Sequence, residues 1–185
     1  MVSGTYLILE SSDSTMKAPI CNVCLKTDGE LCSMCEEKYE NGEISDYDIR
    51  VSRILHDLST EYGSLQDSEI KKVYNMDKVT VIVTAEGDGA KVVGRKGEIV
   101  KKIADKIDMS IRVVEAANDD MEVIKGLLSP AEVASINTVF APEGESKKIV
   151  VDKDYNGKIN LKVEEFEQII SDITGTSYKL SFEEL

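Results

Sequence analysis

Val92-Val93-Gly94-Arg95-Lys96-Gly97-Glu98-Ile99-Val100 carries the strongest architectural signal in this chain. Two glycines bracket two cations, with an aliphatic pair on each side. Upstream, Lys78-Val79-Thr80-Val81-Ile82-Val83-Thr84 is rich in β-branched residues and predicts a strand. Downstream, Ile99 to Ile107 has helical spacing, and Ser110 to Glu115 predicts a short strand. Glycines between two helices let the chain turn tightly and bare its backbone N–H groups. A helix starting near Gly97 aims its partial positive charge at the same place. Arg95 and Lys96 then project towards a phosphodiester backbone, and Val92, Val93, Ile99 and Ile103 are expected to floor a groove for bases.

The pattern extends towards the N-terminus. Ser45 followed by Asp48 reads as a capping box. Tyr47, Val51, Ile54, Leu55, Leu58 and Tyr62 then fall at helical spacing, so a helix is predicted to about Thr60. His56, the only histidine, sits beside that stripe as a surface or boundary residue. Glu69 to Tyr74 predicts a strand, and Asn75-Met76-Asp77 a turn into the next one. The order helix, strand, strand, helix, helix, strand is that of a type II KH domain, a module that clamps single-stranded nucleic acid. A Gly-x-x-Gly alone is equally an ordinary helix–turn–helix corner; the elements on both sides favour the clamp. Its expected contacts are Lys91, Gly94, Arg95, Lys96, Gly97, Lys101 and Lys102.

The net charge of −13 argues against a general nucleic-acid binder. The charge is unevenly spread. Residues 1–44 hold 3 basic and 8 acidic groups, residues 45–116 hold 12 and 13, and residues 117–185 hold 7 and 14. From Lys91 to Lys106 there are six cations (Lys91, Arg95, Lys96, Lys101, Lys102, Lys106) against Glu98 and Asp105. One basic face on an acidic protein suits selective capture of a single strand better than coating of a duplex, which needs broad phosphate neutralisation. No apolar run approaches the roughly 18 residues of a membrane span. The N-terminus shows no basic flank or cleavage-like site, so a cytoplasmic protein is expected.

All four cysteines lie in Cys21-x2-Cys24-x7-Cys32-x2-Cys35. Two Cys-x-x-Cys knuckles this close present four thiolates to one tetrahedral ion, and Zn2+ suits four soft sulfurs. A closed four-cysteine site leaves no position for substrate, so the zinc is expected to be structural. A disulfide pair is disfavoured without a secretory signal. One redox-active pair needs no second beside it.

Beyond Glu115, Asn118-Asp119-Asp120 predicts an N-cap, and Val123, Ile124, Leu127 and Leu128 a short helix ended by Ser129-Pro130. Strands are predicted around Ser135 to Phe140 and Lys147 to Val151, joined through Pro142-Glu143-Gly144-Glu145. A helix follows from about Lys162 to Ile173, ended by Gly175, and Tyr178, Leu180 and Phe182 alternate in a last strand. A shift of 67 residues lays Ile99 on Phe166, Ile103 on Ile170, Ile111 on Tyr178 and Val113 on Leu180. The second half therefore resembles a repeat of the first. Leu161-Lys162-Val163-Glu164 falls on Gly94-Arg95-Lys96-Gly97, so both glycines are lost and an acid stands where the anion would sit. The expected fold is α+β. A lead-in (1–18) and a four-cysteine zinc knuckle (19–43) precede a type II KH domain (44–116) and a degenerate KH-like domain (117–185).

Ile111-Arg112-Val113-Val114-Glu115, Asn118-Asp119-Asp120 and Leu128-Ser129-Pro130-Ala131-Glu132-Val133 are similar to the linker between the tandem KH domains of NusA-type transcription elongation and termination factors. Archaeal NusA-like proteins with two type II KH domains look most alike. The cysteine-rich head followed by Gly42-Glu43-Ile44-Ser45 resembles archaeal zinc-ribbon KH proteins. The resemblance covers about residues 45–185 and implies binding of single-stranded RNA at Gly94, Arg95, Lys96 and Gly97, near RNA polymerase. The second Gly-x-x-Gly is absent, and the bacterial factor's polymerase-binding and S1 segments have no counterpart here. The same clamp chemistry takes single-stranded DNA. The acidic second half suits a basic protein partner. The competing expectation is an interaction adaptor that docks through the knuckle and the acidic half. One histidine, no nucleophile–base constellation and no Walker-type loop argue against an enzyme.

Overall fold

Residues 16–141 and 144–184 are described by a computed structural model of the chain. The strand expected over Thr5 to Glu10 lies outside the described residues. Helices α1 (Asn22–Lys26) and α2 (Ser33–Glu40) form the cysteine-bearing head. Next come α3 (Asp46–Ser59), β1 (Ile70–Asn75), β2 (Val79–Ala85), α4 (Gly89–Val93), α5 (Glu98–Ile107) and β3 (Ser110–Ala116). The remainder is α6 (Asp120–Leu128), β4 (Val133–Ala141), β5 (Gly144–Asp152), α7 (Val163–Thr174) and β6 (Tyr178–Glu183). No helix among the described residues is long and apolar enough to cross a membrane.

The chain is α+β, with two three-stranded sheets ordered β1-β2-β3 and β4-β5-β6. In each, the first pair is antiparallel and the second parallel. The parallel registers repeat. Thr80 pairs with Ile111 and Ile82 with Val113, while Lys147 pairs with Tyr178 and Ile149 with Leu180. The same shift that aligns the two halves of the sequence aligns their sheets. The hairpin of the second half is longer than its sequence suggests, since β4 and β5 each run nine residues.

β2 is buried along six of its seven positions. Strand alternation sends its residues to opposite faces. Val79, Val81 and Val83 join Val114, the α6 residues Val123, Ile124, Leu127 and Leu128, and the second unit's Ile149, Phe166, Ile169 and Ile170 in one core. Ile82 joins Val51, Leu55, Val73, Val92, Ile99 and Ile103 in another. The head belongs to this second core through Ile20, Cys24, Leu25, Cys35 and Ile44. The α6 helix and the second unit thus cover one face of the first sheet, while α3, α5 and the head cover the other.

The α3 helix is fixed by its first turn. The Ser45 side chain accepts from the Asp48 N–H at 3.2 Å, and Asp48 Oδ2 accepts from the Ser45 N–H at 2.8 Å, completing the capping box. Asp48 is fully buried, so its charge must be met in place. Its Oδ1 accepts from the β1 amide of Val73 at 2.7 Å, and Lys72 Nζ stands 3.6 Å from Oδ2. One carboxylate therefore caps a helix and ties it to a strand. Replacing Asp48 with Ala strands these donors in the interior and is expected to cost about 3 kcal/mol. Urea denaturation of wild type and Asp48→Ala measures the loss.

Candidate nucleic-acid interface and metal centre

The Gly94–Gly97 segment is a turn that few residues can make. Gly94 has φ 74° and ψ 173°, and Lys96 and Gly97 follow with φ 55° and 75°. Gly94 ends α4, its N–H donating to Ala90 O at 3.1 Å, and the Gly97 N–H closes back on Gly94 O at 3.1 Å. A Cβ on Gly94 would stand 2.5 Å from Cγ1 of Ile99, whose side chain is buried. A Cβ on Gly97 meets nothing nearer than Val100 Cγ2 at 3.6 Å. The first glycine is thus required by both conformation and packing, the second by conformation alone.

Arg95 and Lys96 are exposed at this turn, immediately before α5. Lys101 is exposed as well. None of these three is in an ion pair among the described residues. The other two expected contacts are already engaged. Lys91 Nζ lies 2.7 Å from Asp88 Oδ1 and donates to Asp67 O at 3.0 Å. Lys102 Nζ lies 2.6 Å from Glu61 Oε1 and 4.8 Å from the centre of the Tyr62 ring. The ammonium beside Glu61 lowers that carboxyl below its ordinary range, and the carboxylate raises Lys102 in turn. The Lys102–Glu61 pair reaches solvent and is worth little in stability, whereas Asp88 is buried and holds Lys91 more firmly.

The expected groove floor is corrected. Val92, Ile99 and Ile103 are buried in the core between α5 and the sheet. They set the pose of the turn and offer no surface to a base. Val93 and Val100 are the half-buried aliphatics that flank it. Residue spacing marks an apolar helix face but does not say how deeply that face is covered.

Glu115, at the end of β3, holds the start of α4. Its Oε1 accepts from the Gly89 N–H at 2.8 Å and its Oε2 from the Gly87 N–H at 2.9 Å. A Cβ on Gly89 would fall 2.6 Å from Glu115 Oε1, so the glycine is what lets the carboxylate approach. The link spans 26 residues and leaves no local signature in the sequence.

In the head, Cys21 and Cys32 are the N-cap residues of α1 and α2, with φ/ψ of −71°/162° and −71°/160°. Cys24 and Cys35 sit in the first turn of the same helices. The knuckles cross-brace each other. Cys21 N–H donates to Cys35 Sγ at 3.3 Å, and Cys32 N–H to Cys24 Sγ at 3.1 Å. All four sulfurs lie within 4.8 Å of one another, close enough to share one metal ion. The backbone N–H of Cys24 is the main cause that depresses the Cys21 thiol to about 6. Burial pushes Cys24 up to about 12 and raises Cys35. Burial thus keeps the protons on Cys24 and Cys35 in the absence of a cation, and a metal ion shared by the four sulfurs would displace them, which is the chemistry of a closed thiolate site.

The head is clamped to the body by a residue that spacing does not single out. Arg53 of α3 donates through Nε to Cys24 O at 3.0 Å and through Nη2 to Gly29 O at 2.9 Å. Tyr39 OH donates to Asp46 Oδ1 at 3.0 Å, joining α2 to the first turn of α3.

At the corresponding place in the second unit there is no such basic turn. A 3-10 turn over Lys153–Tyr155 and a loop through Gly157 stand where α4 would be. Lys162 caps α7, its N–H donating to Glu165 Oε2 at 2.8 Å, and its Nζ lies 3.2 Å from Asp77 of the first unit. Asp77 also donates its backbone N–H to Glu165 Oε1 at 2.9 Å. This helix start is used to join the two units.

No family model matches the chain, and no curated protein matches it. Among solved structures, the crystal structure of APE1850 superposes with a TM-score of 0.52 at 19% identity, over 71% of this chain and 96% of that one. The likeness is one of fold.

Two measurements follow from this geometry. Gly94→Ala is expected to lose about 3 kcal/mol, from backbone strain of roughly 1–3 kcal/mol added to overpacking against Ile99. Gly97→Ala, strained only in φ, is expected to lose about 1 kcal/mol, and denaturant melts of both rank them. The head is expected to take up one equivalent of cobalt(II) with the intense visible bands of a tetrahedral thiolate site. Cys24→Ser should abolish those bands and lower the melting temperature of the whole chain, because Cys24 lies in the α3 core.

Proposed function

We propose that this chain binds single-stranded RNA at the Gly94-Arg95-Lys96-Gly97 turn, with a structural zinc ion held by Cys21, Cys24, Cys32 and Cys35. On this reading the two α+β units are tandem type II KH domains of a NusA-like protein acting in transcription or RNA metabolism, the first with a working clamp and the second without one. The observation that carries the reading is the left-handed turn that keeps Arg95 and Lys96 exposed and unpaired at the start of α5, on a chain of net charge −13. A strand of about four nucleotides fits this geometry. Phosphates meet the two cations and the α5 N-terminus, and Val93 and Val100 give the sugar and base an apolar edge. Lys101 extends the basic track, Lys102 joins it by exchanging Glu61 for a phosphate, and Lys91 borders it while still paired with Asp88. The zinc ion fixes the head on α3. The activity is binding rather than catalysis.

A second reading has its own support. Val23 and Met34, the third residue of each Cys-x-x-Cys, are 66% and 67% exposed, and Tyr39 is 41% exposed. Glu36, Glu37 and Glu40, on the same helix as Met34 and Tyr39, are exposed as well. An apolar pair with an acidic fringe suits an adaptor that docks a basic protein segment, RNA polymerase included.

Fluorescence anisotropy with a mixed-sequence single-stranded RNA, at low and moderate salt, separates the two. Wild type is expected to bind, more weakly as salt rises. Arg95→Asp/Lys96→Asp is expected to lose at least tenfold in affinity while melting like wild type, since Asp tolerates the left-handed position. Equal binding by the two proteins removes the clamp. No binding of RNA or single-stranded DNA by either one leaves the adaptor.

A further inference from the structure

β1 and β4 occupy the same place in the two units. Each is an edge strand, antiparallel to the centre of its sheet. They are built in opposite ways. β1 is six residues long, carries Lys71 and Lys72, and is bridged at its start where Lys17 pairs with Glu69. Short length and lysines are common means of keeping an edge from pairing with another chain. β4 is nine residues long and reads Val133-Ala134-Ser135-Ile136-Asn137-Thr138-Val139-Phe140-Ala141, without a charge or a proline.

The exposed strand also projects. β6 joins β5 only from Lys147 onward, and Lys147 lies opposite Thr138. Beyond that point β4 and β5 run on as a ribbon of two strands. Every residue from Asn137 to Phe140 is exposed, Val139 by 40% and Phe140 by 79%. A two-stranded ribbon with both faces in water is marginal by itself. An aromatic on such a ribbon has little to hold it there.

We propose that β4 is a self-association edge, along which two copies of this chain pair antiparallel about a twofold axis near Asn137. The two three-stranded sheets then become one continuous sheet. In this register Val139 of one copy lies opposite Ser135 of the second, and Phe140 opposite Ala134. A second copy is favoured by charge. The chain carries −13 overall, so most faces of two copies repel. The uncharged strand lets the copies meet without setting acid against acid. A charged peptide finds nothing on the strand to pair with. The assembly also closes at two, because the other edge, β6, is shorter and carries Lys179 and Glu183.

Sedimentation equilibrium of the full chain, from micromolar to submillimolar concentration, tests the proposal. The mass is expected to rise from 20.4 kDa to twice that value with concentration, more readily at higher salt as the repulsion is screened. Asn137→Lys/Val139→Lys is expected to stay at the monomer mass throughout. A wild type that remains monomeric over the whole range overturns the proposal, as does a dimer that survives in the double variant. Hydrogen exchange on wild type guards against a misfolded variant. Amides of β4 must exchange more slowly in concentrated than in dilute protein, and equal exchange at both concentrations overturns the pairing.

Discussion

Everything in this structure depends on covering β2 from both sides. A strand with valines on one face and Thr80, Ile82 and Thr84 on the other has no side it can leave in water. The helices α3 and α5 close one face, while α6 with the second unit closes the other. Burial of a Val or Ile side chain stabilises by roughly 1.5–3 kcal/mol. The residues on the two faces of this strand therefore tie its two neighbours into one body. The surface ion pairs contribute far less. Even the short link between Lys162 and Asp77 acts by orienting the units, and the valine face holds them.

The two units show one scaffold put to different uses. Their parallel strand registers are alike, and Ile99 and Phe166, Ile103 and Ile170 fill matching core positions. The difference lies where backbone conformation is demanding. The first unit has glycine at φ 74° and 75° on either side of two free cations. The second has Lys162 at the N-cap, whose backbone N–H donates to Glu165 and whose ammonium is held by an acid of the neighbouring unit. The core of the second unit does not need glycines at this place, because Leu161 and Phe166 pack there without them.

Much of this was legible in the sequence, and what was legible was local or periodic. The capping box of α3, the cysteine spacing and the ends of α5 and α7 each depend on residues within a few positions. The repeat was legible because equal spacing survives substitution. The longer β4–β5 hairpin was not, because Gly144 and Glu145 look like a turn although β5 begins there. Long-range partners were hidden as well. Nothing near Arg53 announces the carbonyls of Cys24 and Gly29, and nothing near Glu115 announces the amides of Gly87 and Gly89. The burial of Val92, Ile99 and Ile103 was the instructive miss. A helical stripe says that a face is apolar, and only the sheet beneath it decides whether that face is floor or foundation.

The shared core has a consequence for how the chain is made. Thr80 meets Ile111, and Lys147 meets Tyr178, across equal stretches of chain, so each sheet closes with its own nearby segments. Synthesis, however, runs from the N-terminus. When β3 has left the ribosome the first sheet is complete, yet Val79, Val81 and Val83 still face water. Their cover comes first from α6 and then from Phe166, Ile169 and Ile170, many codons later. For that interval the nascent chain carries a bare valine surface, and the pace of translation through the second unit sets how long it stays exposed to aggregation.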